Sequence, residues 1–213
     1  QKSARRFCGT ATALFLGGVP SWVVCDTGER TSRQPKTTLL IHCPYGDSDG
    51  RVVHVPEGHA GALADLYASC RLNRELETVR GAPPAAGPTT MRQHFDPARR
   101  QGVVRVSRAG ADLGGAVARK VDWMLKGHME HVTVLLPMTG PGVASAVPEL
   151  EAAGLFFGGV IPDLEGVDTL VMEALSATVL DTDAIIVLGD EAERLKAHVV
   201  EGWRRASRVR LAG

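Results

Sequence analysis

The sequence predicts an α/β fold with a mixed sheet, and three observations carry that prediction. From Val103 onward, apolar β-branched segments alternate with segments whose apolar residues recur at helical spacing. Two apolar runs near the amino end are broken by Gly17, Gly18 and Pro20, the punctuation of a bend between strands. An amphipathic stretch from Asp190 to Ser207 closes the pattern as a helix.

Taken in order, QKSARRFCG reads as the basic end of a helix stopping at Gly9, which places the start of the chain inside a domain. Thr10 to Leu16 and Trp22 to Cys25 follow as a strand pair. Thr37 to Cys43, the turn DSDG and Arg51 to Val55 read as a hairpin. Pro56 suits a first helical turn, and Ala60, Leu63, Ala64, Leu66 and Tyr67 make PEGHAGALADLYASC amphipathic. RELETV is another strand, and the small, Pro-rich GAPPAAGPTT is an exposed loop. Strand Val103 to Val106, helix Asp112 to Lys126, strand His131 to Leu136 and a helix from Val143 to Ala153 follow, the last stopping at Gly154. Leu155 to Ile161 and Thr169 to Leu175 then read as paired strands, and Ala184 to Leu188 as one more.

Composition narrows the function. Lys and Arg total 24 against 24 Asp and Glu, so no net field favours nucleic acid or an acidic membrane. Cys8, Cys25, Cys43 and Cys70 are widely spaced with no C-x-x-C pair, which fits reduced thiols and gives no zinc pattern. No apolar run approaches the roughly 20 residues of a membrane helix, so the expected location is the cytoplasm. Trp22, Trp123 and Trp203 are not interleaved with basic residues, so no base-stacking platform is indicated.

One internal similarity stands out: ALFLGGVP at Ala13 to Pro20 against LFFGGVIP at Leu155 to Pro162, each after a helix ending in Gly. It reads either as a duplicated module or as common Gly-Gly turn chemistry after a strand.

The element order from Val103, with ASAVPELEAAGLFFGGVIP leading into the final strand pair, resembles the core of the GNAT acyltransferase superfamily, with Leu150 at the place of that family's Tyr and Gly154-Leu155 at its Gly-Phe pair. QKSARRFCGTATALFLGGVP resembles the end of a preceding GNAT module, and VVHVPEGHAGALADLYASCRLNRE looks like the region joining two such modules in bacterial tandem proteins. The resemblance implies a GNAT-like mixed sheet flanked by helices, in tandem modules of which the first is truncated. Residues 1–20 are then the tail of an N-terminal module, 21–80 a linking region, 81–90 a loop and 91–213 the second module. It also implies an N-acyltransferase that uses acyl-CoA or acetyl-CoA as co-substrate and acts on an amine or amino sugar, as acylating enzymes of antibiotic pathways do.

The family's phosphate turn, Q/R-x-x-G-x-G/A, is replaced here by RAGADLGGAVARK. Gly110, Gly114 and Gly115 supply flexible backbone at a helix start, but Asp112 opposes phosphate and reads as an N-cap. The donor is therefore expected near Lys2 and Ser3, with an upstream module of the same protein holding it, and the oxyanion on backbone N–H groups around Ser107 and Arg108. The alternative function is a degenerate, non-catalytic module that senses a ligand or docks a partner.

Acyl transfer to an amine needs a base. His59 is the first candidate and His54 the second, because they flank the PEG turn that should face the cleft between modules; the competing reading of His59 is an exposed first-turn residue. Tyr67 reads as a core aromatic more readily than as a general acid. Asp163, Glu165 and Asp168 either meet a cationic amine or solvate a turn, and Arg204, Arg205, Arg208 and Arg210 form either a phosphate contact or a basic helix end.

Overall fold

The computed structural model of the chain describes residues 9–20, 35–42, 49–81, 86–176 and 180–212. Among them run β1 (Thr10–Val19), β2 (Lys36–His42), β3 (Val52–Pro56), a 3-10 turn (Glu57–His59), α1 (Ala60–Ser69) and β4 (Glu75–Val79). Then come β5 (Thr90–Asp96), β6 (Gln101–Arg108), α2 (Leu113–Lys126), β7 (His131–Pro137), α3 (Pro141–Ala152), β8 (Phe156–Leu164), β9 (Val167–Leu175) and α4 (Asp190–Ala212). Seven strands make one mixed sheet in the order β2-β1-β8-β9-β7-β6-β5, and β3 and β4 make a separate two-stranded sheet. The fold is α/β, as the alternation predicted. Among the described residues no helix is long and apolar enough to cross a membrane.

The large sheet holds one parallel pair, β6 with β7, joined through α2 as a parallel connection requires. β7 and β9 lie inside the sheet and are buried on both faces, which is why HVTVLLP and VDTLVMEAL read as near-continuous apolar runs. Val132, Val134, Leu136, Leu170 and Met172 have no exposed surface and form the centre of the core. α4 packs on β8 and β1, and α2 packs on β6, β7 and α3.

Four expectations are corrected. β2 and β3 are not a hairpin: β2 pairs antiparallel with β1, and β3 pairs in parallel with β4 across α1. An antiparallel reading of β2 and β3 missed that α1 is itself the crossover a parallel pair needs. Pro56 ends β3, opposite Val79, rather than opening the α-helix; a 3-10 turn intervenes. Ala184 to Leu188 is not a strand. The Asp181 carboxylate accepts the N–H groups of Asp183 (3.1 Å) and Ala184 (3.3 Å), which bends the backbone away from any ladder and leaves Ile186 exposed. Finally, β5 lies where no strand was expected: TMRQHFD lacks alternation because it is an exposed edge, fixed to β6 and by Phe95 against Trp123. The expected helix end before Gly9 and the run Trp22 to Cys25 lie outside the described residues.

The two similar segments are antiparallel neighbours. β1 meets β8 at Ala13 opposite Gly159, each strand breaks register near its glycines, and each runs into its own antiparallel partner, β2 or β9. Gly159 has φ +132°, and a Cβ there would stand 2.4 Å from the Ala13 Cα, so only glycine lets the two strands approach.

Candidate functional site

β6 and β7 pair from Gln101 opposite His131 to Arg105 opposite Leu135 and then part. β6 stays on β5 as far as Arg108, and β7 stays on β9 as far as Pro137, so the carboxyl ends of two parallel neighbours diverge inside one sheet. The β5 register passes from Val106 to Arg108 and leaves Ser107 as a bulge with no cross-strand partner. The gap is a cleft of about 230 Å³ with Ser107, Val106, Leu135, Pro137, Val167 and Thr169 among its walls, and Arg105 crosses it to Glu165 at 2.6 Å. Of the expected donor-site residues, Ser107 lines this cleft with its hydroxyl donating to Thr90 O (3.2 Å), and Arg108 reaches back to Pro88 O (3.4 Å). Lys2 and Ser3 lie outside the described residues.

The glycine-rich turn before α2 is occupied by the chain itself. Ala111 N donates to Gly87 O (2.9 Å), Gly110 N to Thr89 Oγ1 (3.1 Å) and Thr89 N to Asp112 Oδ1 (2.7 Å). The Asp112 carboxylate therefore does not cap α2, although Asp112 holds the N-cap position; the Thr89 N–H holds its pKa below the usual carboxylate range. A Cβ on Gly110 would stand 2.4 Å from the Pro88 carbonyl carbon, and one on Gly114 2.0 Å from Glu149 Oε2. These glycines serve close packing of the 87–89 segment and of α3, not an open phosphate cradle.

His59 is buried, with 2 % of its surface exposed, so it is not a solvent-facing first-turn residue. Three elements converge on it. Its ring stacks on Phe157 of β8 (4.6 Å between centroids), its Nδ1 is 2.8 Å from His198 Nε2 on α4, and its Nε2 is 3.2 Å from Glu151 Oε1 on α3. The Glu151 contact falls short of an aligned hydrogen bond. Burial raises the Glu151 pKa, but His59, with Arg205 and His198, opposes it and together they leave the carboxyl below its usual range. Burial, then the neighbouring His59, pushes His198 below the usual imidazole range. His59 and Glu151 line a cavity of about 540 Å³ between the β3–β4 sheet and α3, with Glu57 and Arg80 ion-paired at its rim.

No residue lines both the Ser107 cleft and the His59 cavity. His54 joins neither: it stands opposite Glu77 in the small sheet, with Nδ1 3.2 Å from Glu77 Oε2. Tyr67 is core, as the blander reading had it. Asp163 and Asp168 do meet a cation, but it is the buried Arg74, whose Nε donates to Asp168 Oδ2 (2.8 Å). Arg210 Nε donates to Gly154 O (2.9 Å) and so ties the end of α4 to the turn after α3. His198 and Glu151 were missed because nothing in RLKAHVVEGW or VPELEAAG marks either as a partner of His59. Glu173 did leave a signal, a carboxylate within the apolar run TLVMEAL; it is fully buried, 2.6 Å from His131 Nε2. Among the described residues no three His, Cys, Asp or Glu side chains converge as a metal site. Comparison with known protein families, with curated proteins and with solved structures finds no match to this chain.

Proposed function

We propose that the chain is the carboxyl-terminal part of a tandem GNAT-like protein that transfers an acyl group from acyl-CoA to an amine or amino sugar. The observation that carries this reading is the divergence of β6 from β7 beside the Ser107 bulge. A slot between parallel strands accepts an extended thioester chain, and a bulge frees a backbone N–H for the thioester oxygen as it becomes an oxyanion. The position of β9 between β7 and β8, with a similar hairpin facing it across β1, supports the GNAT-like order and the tandem arrangement.

In the reaction the amine nitrogen forms a bond to the acyl carbon, the C–S bond breaks and the CoA thiolate leaves with the proton that the amine gives up. Among the described residues Glu165 is the carboxylate lining the cleft, the group able to accept that proton from the amine and return it to the departing thiolate. His59 opens into a different cavity, which moves it away from the role of base in this cleft.

A second reading, a non-catalytic module that senses a ligand, is favoured by the covered turn before α2, where Gly87 to Thr89 stand in the place a pyrophosphate would take. One experiment divides the two. Thiol release from acetyl-CoA is followed with a panel of amines, alongside the Ser107→Pro variant, which lacks the N–H. Transfer that falls by about 10²- to 10³-fold in the variant, with donor binding kept, is the expected outcome. Donor binding without turnover by the unaltered protein favours the sensor, and no binding at all removes the acyltransferase reading.

A further inference from the structure

His59 and His198 meet nitrogen to nitrogen, Nδ1 to Nε2 at 2.8 Å, so one ring donates and the other accepts. Glu151 sets the direction. Its carboxylate stands 3.2 Å from His59 Nε2, where it attracts a proton and where a lone pair would set two acceptors side by side. With the proton on Nε2, His59 Nδ1 accepts from His198 Nε2, and His198 keeps a lone pair on Nδ1. Among the described residues that nitrogen has no hydrogen-bond partner, and it is not sealed from solvent. His198 lines a groove of about 200 Å³ between α1 and α4, which shares no wall with the His59 cavity or the Ser107 cleft. Ala62, Leu66 and Leu195 give the groove apolar surface, and the Arg194 guanidinium lies 3.9 Å from Asp65, beyond hydrogen-bond distance.

We propose that His198 is a nucleophile that takes the acyl group of a small activated ester in this groove, with His59 and Glu151 as positioning residues behind it. The order carboxylate, imidazole, nucleophile is that of a hydrolase triad, with a second imidazole in the place of the hydroxyl. His198 Nδ1 forms a bond to the acyl carbon, and the bond from that carbon to the leaving oxygen breaks, releasing a phenolate or similar anion. The His198 Nε2 proton passes to His59 Nδ1 as the His59 Nε2 proton passes to Glu151, so the acyl-imidazole is neutral. Water then gives its hydroxyl to the acyl carbon and its other proton to the departed anion, and the two relay protons return. Arg194 is the cation beside the oxyanion, and the apolar wall takes the acyl chain. Burial, then His59, hold His198 below the usual imidazole range, so its Nδ1 is unprotonated at neutral pH. The site needs no CoA, so it stands or fails independently of the acyltransferase reading.

The test uses the full 213-residue chain and p-nitrophenyl acetate, with no acyl-CoA present. Saturable release of p-nitrophenol is expected. It should fall at least roughly tenfold in His198→Gln, since the other imidazoles leave a background that masks part of the about 10²-fold effect of a positioned group. His94→Gln, on the exposed edge strand β5, should leave the rate unchanged. The rate should rise with pH as His198 loses its proton. Glu151→Gln still accepts from His59 but has lost its charge, so it should move that rise to lower pH and lower the plateau. Glu201 and Arg205 on the same helix, Glu191 and Arg194 one or two turns earlier, and Asp65 on α1 also lie about His198 and stay constant in this comparison. The unaltered protein gives a check that needs no variant. Diethyl pyrocarbonate should modify His198 before the exposed His94 and His128, as peptide mass mapping would show, and ester hydrolysis should fall in step and return with hydroxylamine. Hydrolysis that does not saturate, that survives full modification of His198, or that keeps its pH profile in Glu151→Gln overturns the proposal.

Discussion

Glu173 has no exposed surface, and its main side-chain partner in β9 is His131, whose Nε2 lies 2.6 Å from its Oε2. Burial pushes its pKa above the usual range, with His131 and then the Leu16 backbone opposing that rise. A carboxyl whose folded pKa is raised contributes stability that is complete below its unfolded pKa, about 4.3, and lost as pH rises through the folded value. Removing His131 enlarges the rise. His131→Leu is therefore expected to cost roughly 3 kcal/mol near pH 8 and distinctly less near pH 5, read by urea unfolding at both pH values. Cys70 gives a second check: burial pushes its thiol up to about 12, so it should resist alkylation at neutral pH and label only on unfolding, as peptide mapping would show. At this scale the sequence conveyed residue type but not company. His59 was legible as a titratable group at a helix start; that Phe157, His198 and Glu151 would close round it depends on contacts across up to 139 positions.

Elements were legible wherever burial was two-sided or helical, because β7, β9, α2 and α4 each carry their pattern in their own residues. They failed where partners decided the matter. β2 and β3 look alike in sequence, yet one joins the large sheet and the other the small one, and β5 has no apolar face to announce it. The joints between elements are the places to test. Arg74, with a side chain 1 % exposed, connects the segment before β4 to the β8–β9 turn through Asp168 and Asp163. Arg74→Met leaves Asp168 buried without its cation and should cost about 3–5 kcal/mol in chemical unfolding. Gly110→Ala drives a methyl into the backbone of Pro88 and Thr89. It should cost about 1–3 kcal/mol and raise amide exchange across residues 86–90, whereas Gly166→Ala, with open space around it but φ +84°, should cost only the strain of its turn, about 1 kcal/mol.

For the whole molecule, the repeated strand motif told more than any single element. ALFLGGVP and LFFGGVIP read either as a duplicated module or as common Gly-Gly turn chemistry, and the structure makes the two strands antiparallel neighbours, with Ala13 of β1 opposite Gly159 of β8. What the repeat could not announce is that they touch, because contact there requires Gly159 to adopt a backbone conformation that no other residue takes readily. Gly159→Val is accordingly expected to open the sheet between β1 and β8, destabilising the protein by several kcal/mol, with hydrogen exchange rising first in β1.

The β1–β8 junction also sets a schedule. Ala13 and Gly159 are partners, but 146 positions separate them, so a ribosome adding about 5–20 residues each second finishes the second strand roughly 7–30 s after the first. Through that interval the apolar strand TATALFLGGV has β2 on one side and an unfilled edge on the other, the condition in which nascent chains stick to one another. The paired strands β1 and β2 are thus expected to need protection while the rest of the chain is made. Nascent chains arrested before residue 156 should yield to protease within β1, and chains extended beyond α4 should resist it.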